Sequence, residues 1–242
     1  MKLIIIRHGD PDYEHDTLTA QGRIEAALAA DRISKLNVTD FYVSPLGRAQ
    51  DTARYTLDKM QRTAETCPWL REFHAPIRDI HTGEERIPWD WLPADWTVVP
   101  EFYGKDTWYQ TEIMQTHHVY DEAKRVYDGL DKILASHGYV REGNFYRAVS
   151  PNMDTLVFFC HFGVECVMLG HLLGISPMVL WHGFCAAPTA ISVLTTEERR
   201  EGIAAFRMNT FADTGHLYIA GETPSFSARF CEMYSNMEER HD

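Results

Sequence analysis

The chain has 242 residues, 45% of them hydrophobic, which is enough for a packed core in one large domain or two small ones. Its formal net charge of −12 argues against nonspecific binding to nucleic acid or to acidic membranes, because both require a basic protein surface. Five cysteines without a C-x-x-C pair, and no apolar segment of the roughly eighteen residues that span a bilayer, predict a reduced, cytoplasmic protein.

The first predicted element is a buried strand, Leu3-Ile4-Ile5-Ile6, which ends in the pair Arg7-His8. A polar loop follows the strand, and Thr19 is suited to cap the next helix. The apolar residues of that helix have helical spacing: Ile24, Ala27, Leu28 and Ile33.

A second strand is predicted at Phe41–Val43 and is followed by Ser44 and Pro45. Serine is a favoured N-cap and proline favours the first helical position, so we expect a helix from this point to about Met60. A third short strand is predicted around Trp69–Phe73.

Residues 76–112 interrupt this pattern. They contain four prolines and four of the six tryptophans, so regular structure should be broken there. Two interpretations are open. The tryptophans either pack as a satellite core against the main domain, or they form a cap whose aromatic faces select the organic part of a substrate.

After this aromatic insertion, predicted helices and strands alternate again. A long helix is predicted from its apolar face, with Gly138 as its stop; the face comprises Ala123, Val126, Tyr127, Leu130, Ile133 and Leu134. The remaining elements are a hairpin turning near residues 142–144, a strand at Leu156–Cys160 leading into His161, a helix from about Val164 to Leu173, and strands at Ala190–Leu194 and Ile203–Met208.

This order of elements predicts one α/β domain over residues 1–242, because no linker or internal repeat interrupts it. We expect a three-layer α/β/α sandwich whose central sheet is mostly parallel. In such a sheet ligands bind outside the carboxyl ends of the strands. The chemically active candidates fall at that edge: Arg7, His8, Arg48, Glu72 and His161.

These residue types suit phosphate chemistry. Arginine has a planar fork that holds phosphate oxygens, and a neutral imidazole beside it can attack phosphorus. Arg48 falls in the first turn of a predicted helix, where the macrodipole disfavours a cation, so its position indicates an anion nearby.

Several motifs carry a family resemblance. They are Arg7-His8-Gly9, Leu18-Thr19-x-x-Gly22, Ser44-Pro45-Leu46-x-Arg48-Ala49-x-x-Thr52-Ala53, Leu70-Arg71-Glu72, Cys160-His161-Phe162-Gly163, and Asn209 followed by Asp213-Thr214-x-His216-Leu217. In this order they closely resemble the histidine phosphatase superfamily, which has the phosphoglycerate-mutase-like fold. The resemblance covers nearly the whole chain except about 76–112.

The resemblance implies a role for each candidate. His8 would be the nucleophile that forms a phosphohistidine, and Arg7, Arg48 and His161 would surround the phosphoryl oxygens. Glu72 would be the general acid that protonates the leaving alcohol. No metal or other cofactor is implied, and His117-His118 lack metal-ligand spacing.

The acid is the point at which the chain departs from the family pattern. A Gly-rich continuation usually follows the acid, but Phe73-His74-Ala75-Pro76 stands there instead. Other carboxylates therefore remain alternatives to Glu72, namely Glu14, Asp16, Glu84 and Glu85.

The sequence favours a metal-independent phosphatase acting on a small phosphorylated metabolite. A phosphoglycerate-type mutase is the second hypothesis, but the mutase motifs Arg-His-Gly-Glu-Ser and Leu-Asn-Glu-Arg are absent, since Asp10-Pro11 and Leu70-Arg71-Glu72-Phe73 stand in their places. A phosphate-binding module without turnover is the third. Retention of all five candidate residues argues against it.

Overall fold

The computed structural model describes residues 1–79, 82–227 and 229–241. Within these ranges the strands are β1 (Lys2–Arg7), β2 (Pro11–Asp12), β3 (Thr17–Leu18), β4 (Asp40–Val43), β5 (Glu65–Thr66), β6 (Ile77–Arg78), β7 (Glu85–Arg86), β8 (Tyr139–Glu142), β9 (Phe145–Ala148), β10 (Thr155–Cys160), β11 (Ile191–Arg200) and β12 (Ile203–Asp213). The α-helices are α1 (Ala20–Ile33), α2 (Gly47–Met60), α3 (Pro93–Trp96), α4 (Glu112–Gln115), α5 (Val119–Ser136), α6 (Phe162–Leu173), α7 (Pro177–Gly183) and α8 (Gly215–Ile219). Two 3₁₀ helices lie at Pro68–Leu70 and Pro100–Tyr103.

The central sheet has eight strands in the order β5-β4-β10-β1-β11-β12-β9-β8. The first four strands run parallel, whereas the pairings from β1 onward to β8 are antiparallel. The mostly parallel arrangement predicted from the sequence therefore holds for one half of the sheet. Antiparallel strands join through a tight turn, and the hairpins β8–β9 and β11–β12 build the other half.

The register aligns the strand ends that carry the candidate residues. Arg7 is paired with Cys160, and Val43 with Phe159, so β1, β4 and β10 end at one edge of the sheet. The residues that follow these strands are His8, Ser44 and His161, and they consequently meet at that edge.

Apolar side chains cover both faces of the sheet. Along β1, Leu3 and Ile5 join a large core that contains α5, α6 and α7, whereas Ile4 and Ile6 join a smaller core with α1 and α2. This alternation is the period of two that a strand buried on both faces requires. Full burial of each such side chain contributes about 1.5–3 kcal/mol, which fixes the strand that holds Arg7 and His8. The predicted α/β fold class is confirmed.

Two predicted helices differ from the structure in detail. Thr19 caps α1 as expected, since its hydroxyl accepts the Gly22 N–H at 3.0 Å. The buried face is not the predicted one, because Ile24 is 45% exposed and Glu25 is buried. Helix α2 begins at Gly47 rather than at Pro45. The hydroxyl of Ser44 contacts Nε2 of His161.

The predicted strand at Trp69–Phe73 is wrong. The third parallel strand is β5, and the 3₁₀ helix Pro68–Leu70 and an irregular loop follow it. Leu70 and Phe73 are buried, so the apolar pattern reports burial there and not a strand.

Other predicted elements are found close to their expected positions. The aromatic insertion contains only short elements, and the hairpin turns at Gly143, whose φ of +60° favours glycine. Strands β11 and β12 are longer than predicted, and α7 and α8 had no counterpart in the sequence analysis. In the described parts of the chain, no helix combines the length and apolar character needed to cross a bilayer.

Candidate active site

The two candidate histidines lie side by side at the carboxyl edge of the sheet. Their ring centroids are 5.1 Å apart, and both side chains are buried. The backbone continues the strand pairing at this point, because the His8 N–H donates to the Cys160 carbonyl at 3.0 Å. The positions of His8 and His161 are therefore set by the sheet itself.

The hydrogen bonds of His8 define its tautomer. Its Nδ1 lies 2.8 Å from the carbonyl oxygen of Gly9, which only accepts, so Nδ1 carries the proton and Nε2 keeps its lone pair. Burial lowers the pKa of His8 well below its ordinary value, and the cations Arg7 and Arg48 lower it further. The imidazole is neutral at neutral pH, as a nucleophile must be.

His161 is held by a residue from the neighbouring strand end. Its Nε2 lies 2.7 Å from the hydroxyl of Ser44, and its Nδ1 is buried without a partner among the described residues. Burial lowers the pKa of His161 well below the usual range, and His8 and the two arginines lower it further. A neutral imidazole anchored through Nε2 can present Nδ1 to a ligand.

Arg7 points its guanidinium toward the loop that follows α7. Its Nη1 donates to the Ala186 carbonyl at 2.5 Å, whereas its buried Nε has no partner among the described residues. The buried Nε of Arg48 likewise lacks one. Arg7 and Arg48 both lie close enough to His8 and His161 to lower the pKa of each imidazole. The unpaired Nε groups and His161 Nδ1 have free hydrogen-bonding capacity, which suits the several oxygens of a phosphoryl group.

Arg48 has a carboxylate partner in the loop before α1. Its Nη1 donates to Asp16 Oδ1 at 2.6 Å, and Asp16 Oδ2 accepts the Gly47 N–H at 2.6 Å. Asp16 therefore supplies the anion that the sequence analysis expected near the start of this helix. Since both of its oxygens are used in this way, Asp16 positions Arg48.

Glu72 reaches the same region from the loop after the first 3₁₀ helix. Its carboxylate accepts the backbone N–H groups of Phe73 at 2.7 Å, Val164 at 2.9 Å and Gly163 at 3.3 Å. Burial raises the pKa of Glu72, although these N–H groups and Arg7 oppose the rise. The first turn of α6 therefore directs the N–H groups of Gly163 and Val164 to this carboxylate.

Gly163 is required by the close approach of Glu72. A Cβ at Gly163 would lie 2.7 Å from Glu72 Oε1 and 3.4 Å from Trp89 Cε2. The Trp89 Nε1–H donates to the Phe73 carbonyl at 3.3 Å. One tryptophan of the aromatic insertion therefore lies directly beside the candidate acid.

The remaining alternatives to Glu72 lie outside this cluster. Glu14, Glu84 and Glu85 are exposed, and Glu85 faces Arg78 across the small hairpin β6–β7. Across the described ranges, no group of three or more His, Cys, Asp or Glu side chains is arranged to hold a metal ion.

Thr52 belongs to a motif that carries the family resemblance, but no role was predicted for it. Its hydroxyl accepts the Gly9 N–H at 2.9 Å and donates to the Arg48 carbonyl at 2.7 Å. Thr52 consequently ties the loop after β1 to the helix that carries Arg48. Its place within the Ser44–Ala53 motif was the available signal.

Glu25 is a second residue that was missed. It is buried on α1, and its carboxylate accepts the N–H groups of Asp10 at 2.9 Å and Ser225 at 3.3 Å. Burial raises its pKa. An acidic residue on a helix normally indicates the solvent face, so the sequence carried no signal for this contact.

Glu165, on the first turn of α6, is also buried. Burial raises its pKa from 4.5 to about 7, although Ser192 and Arg7 lower it, and its Oε1 has no hydrogen-bond partner among the described residues. The site therefore combines two cations and two neutral imidazoles with two carboxyl groups, Glu72 and Glu165, whose pKa values are raised.

Comparison with known proteins identifies the family of this chain. The sequence model of the histidine phosphatase superfamily (branch 1) matches residues 3–209. A probable phosphoglycerate mutase GpmB of Yersinia enterocolitica is 28% identical over 97 residues, which are 36% of this chain and 45% of that protein. The match thus spans less than half of the length of this curated relative.

Two solved structures share the fold. A phosphoserine phosphatase mutant from Entamoeba histolytica, in complex with phosphoserine, has a TM-score of 0.61 at 20% identity, covering 89% of this chain and 98% of that one. A mycobacterial glucosyl-3-phosphoglycerate phosphatase has a TM-score of 0.60 at 18% identity, covering 88% and 99%. These two structures confirm the fold class. The sequence model that matches residues 3–209 confirms the family resemblance.

Proposed function

Because the chain belongs to the histidine phosphatase superfamily (branch 1), we propose that it hydrolyses a phosphate monoester of a small metabolite through a phosphohistidine on His8. One observation carries the proposal. His8 is neutral, its Nδ1 is fixed on the Gly9 carbonyl, and its Nε2 lies in a site that also receives Arg7, Arg48 and His161.

In the first step Nε2 of His8 forms a bond to phosphorus while the bond from phosphorus to the alcohol oxygen breaks. Arg7, Arg48 and His161 bind the phosphoryl oxygens and stabilise the charge spread over them in the transition state. The raised pKa of Glu72 favours its protonated form, and that proton passes to the leaving oxygen.

In the second step water attacks the phosphorus of phosphohistidine. The Glu72 carboxylate takes the proton of this water, the bond between phosphorus and Nε2 breaks, and inorganic phosphate leaves. His8 and protonated Glu72 are then restored. The two guanidinium groups supply the positive charge at each stage, so the scheme requires no metal ion.

We further propose that the chain is one domain whose insertion, residues 76–112, covers the leaving-group side of the site. Trp108 is buried in the large core and packs against Trp181 with ring centroids 5.5 Å apart, which supports the packing of this tryptophan against the main domain. Trp89, beside Glu72, is the part of the insertion suited to contact the alcohol of the substrate. The two interpretations of the insertion thus apply to different tryptophans.

The names of the structural neighbours support a small substrate, because phosphoserine and glucosyl-3-phosphoglycerate are phosphorylated metabolites. The five cysteines without a C-x-x-C pair support a cytoplasmic protein. The net charge of −12 supports the absence of nucleic-acid and membrane partners. The partial match to a probable phosphoglycerate mutase keeps a mutase as the second candidate. Such an enzyme would use the same phosphohistidine and exclude water from it.

A panel of phosphate monoesters, assayed with excess chelator, tests the proposal. We expect release of inorganic phosphate and an acid-labile phosphoenzyme, and we expect His8→Ala to abolish both while leaving the fold intact by circular dichroism. Transfer of phosphate between positions of a sugar acid without release would favour the mutase. Phosphate binding with neither reaction would leave only a binding module.

A further inference from the structure

The loop that precedes β11 contacts both residues of the Arg7-His8 pair. Within this support loop, residues 186–190, the Ala186 carbonyl accepts from the Arg7 guanidinium at 2.5 Å and the Ala190 carbonyl accepts the Arg7 N–H at 3.2 Å. The Thr189 N–H donates to the His8 carbonyl at 3.1 Å. Three hydrogen bonds from one short loop therefore orient the proposed nucleophile and one proposed phosphate ligand.

The support loop contains a strained residue at the position that contacts His8. The Ala190 N–H donates to the Ala187 carbonyl at 3.0 Å, which closes a turn with Pro188 second and Thr189 third. Thr189 has φ of +57°, as the third residue of a type II turn requires, and glycine or asparagine is usual there. A β-branched residue is an outlier in this region and persists only where its neighbours hold it.

His216 is the neighbour that holds Thr189. It lies on α8, is buried, and its Nε2 is 3.0 Å from the Thr189 hydroxyl. Burial and then Arg32 lower the pKa of His216 to about 4, although Asp213 opposes them, so this imidazole is neutral at neutral pH. The resemblance had marked this histidine as part of a C-terminal motif, but the catalytic scheme gives it no role.

We propose that Thr189 and His216 are positioning residues that hold His8 and Arg7 in place for phosphoryl transfer. The hydrogen bond between them keeps Thr189 at positive φ, and this conformation directs the Thr189 N–H to the His8 carbonyl. Without it, the threonine relaxes toward negative φ and the support loop shifts against both residues. Near-attack geometry is sensitive to such shifts, since a misplacement of about 1 Å can reduce the rate about 10²-fold.

The kinetic test rests on the proposed phosphatase activity and uses Thr189→Val, His216→Ala and the double variant. Valine keeps the β-branched shape and removes only the hydroxyl. We expect each single variant to lower kcat about 10- to 100-fold with KM changed less than about threefold, because the interaction acts on transition-state geometry. The double variant should lose no more than the worse single variant, and Thr189→Ser should keep most of the activity.

A half-buried histidine at the opposite end of the sheet provides a control. His137 also contacts a hydroxyl, that of Tyr42 at 3.0 Å, and its Nδ1 faces Asp154 at 2.9 Å. We expect His137→Ala to lower the melting temperature without the fall in kcat. Unchanged kcat in both single variants, or losses that multiply in the double variant, would overturn the proposal.

A spectroscopic measurement tests the positioning independently of activity. In protein with ¹⁵N-labelled histidine, His8 should show a single tautomer protonated at Nδ1, because of its bond to Gly9. We expect Thr189→Val and His216→Ala to give averaged His8 tautomers, and His137→Ala to leave the His8 tautomer unchanged.

The outcomes separate the positioning role from the proposed function. If wild-type protein hydrolyses no ester while this response occurs, the proposed function fails and the positioning role stands. An unchanged His8 signal in Thr189→Val refutes the positioning role. If His216→Ala does not fold, Thr189→Val carries the test.

Discussion

The two sides of the candidate site are built from different kinds of structure. On the proposed phosphate side, the ends of the adjacent strands β1 and β10 carry Arg7, His8 and His161. The pairing of Arg7 with Cys160 places these residues at the same edge of the sheet. On the leaving-group side, Glu72 and Trp89 come from irregular segments and are fixed by contacts with each other's loops and with the start of α6.

This difference separates what is common to all phosphate monoesters from what is particular to one. The phosphoryl group is the same in every substrate, so its ligands can be placed on the most rigid part of the fold. The alcohol varies, and loops change without loss of the core. Variants on the two sides should therefore respond differently to the leaving group.

The largest effect is expected for Glu72→Gln on esters of alkyl alcohols. These are poor leaving groups that need a proton, so kcat/KM should fall about 10²- to 10⁴-fold, while aryl phosphates should change much less. Since the pKa of Glu72 is raised, wild-type turnover of alkyl esters should persist above the usual range for glutamate and decline as Glu72 loses its proton. Stopped-flow measurement of phosphoenzyme formation against pH checks both statements.

Glu84→Gln is the control for this prediction, because Glu84 is an exposed carboxylate of the insertion. It should leave both classes of ester unaffected. Equal slowing of alkyl and aryl esters in Glu72→Gln would show that Glu72 is not the acid and that the two sides are wrongly divided.

Arg48→Ala should reduce kcat/KM about 10²- to 10³-fold, or about 3–4 kcal/mol of transition-state stabilisation. In contrast to Glu72→Gln, the factor should be the same for alkyl and aryl esters, because in the proposed mechanism Arg48 binds the phosphoryl group that they share. The kcat/KM of Arg48→Lys should lie between those of wild type and Arg48→Ala, since lysine keeps the charge and lacks the planar fork. Arg54 lies on the same helix with its side chain exposed, so Arg54→Ala should have no effect; a leaving-group dependence in Arg48→Ala would contradict the assignment.

Much of the phosphate side could be predicted because it follows from local pattern. The apolar run Leu3–Ile6 is buried on both faces of the sheet, and a residue that follows such a strand must lie at the sheet edge. Glu72 was placed at the same edge on a predicted strand, Trp69–Phe73, where the structure has a 3₁₀ helix and a loop. Its role as the acid came only from the family resemblance. The apolar pattern correctly indicated that Leu70 and Phe73 are buried, but it did not indicate their backbone conformation.

Contacts between segments that are distant in sequence were even harder to predict. Thr189 and His216 are separated by 27 positions, and the positive φ of Thr189 contradicts its local preference. Glu25 has a polar character that indicated the solvent face, yet it accepts backbone N–H groups from two loops. Such residues are selected by a tertiary partner, which a single sequence does not display.

Glu165 lies on the helix between the two sides, and its effect should appear in stability. An unfolded glutamate ionises near 4.5, whereas folded Glu165 ionises at about 7, so the folded state loses stability as the pH rises between these values. The gap corresponds to at most about 3 kcal/mol. Glu165→Gln should therefore gain stability relative to wild type on going from pH 5 to pH 8, as measured by urea unfolding. Glu84→Gln should show no such gain, and its absence in Glu165→Gln would mean that the carboxyl is not buried in the neutral form.

The smallest effect is expected for Trp89, because it would bind the organic part of the substrate and take no part in bond breaking. Trp89→Ala should raise KM several-fold for esters of bulky alcohols and leave kcat nearly unchanged, while Trp89→Phe keeps an aromatic face and should lose less. Small alkyl esters should respond to neither variant, since their alcohol does not extend to the insertion. A fall in kcat that is uniform across all esters would instead show that Trp89 acts by holding the Phe73 carbonyl, and through it Glu72, in place. The leaving-group side would then be defined by its support of the acid and not by contact with the alcohol.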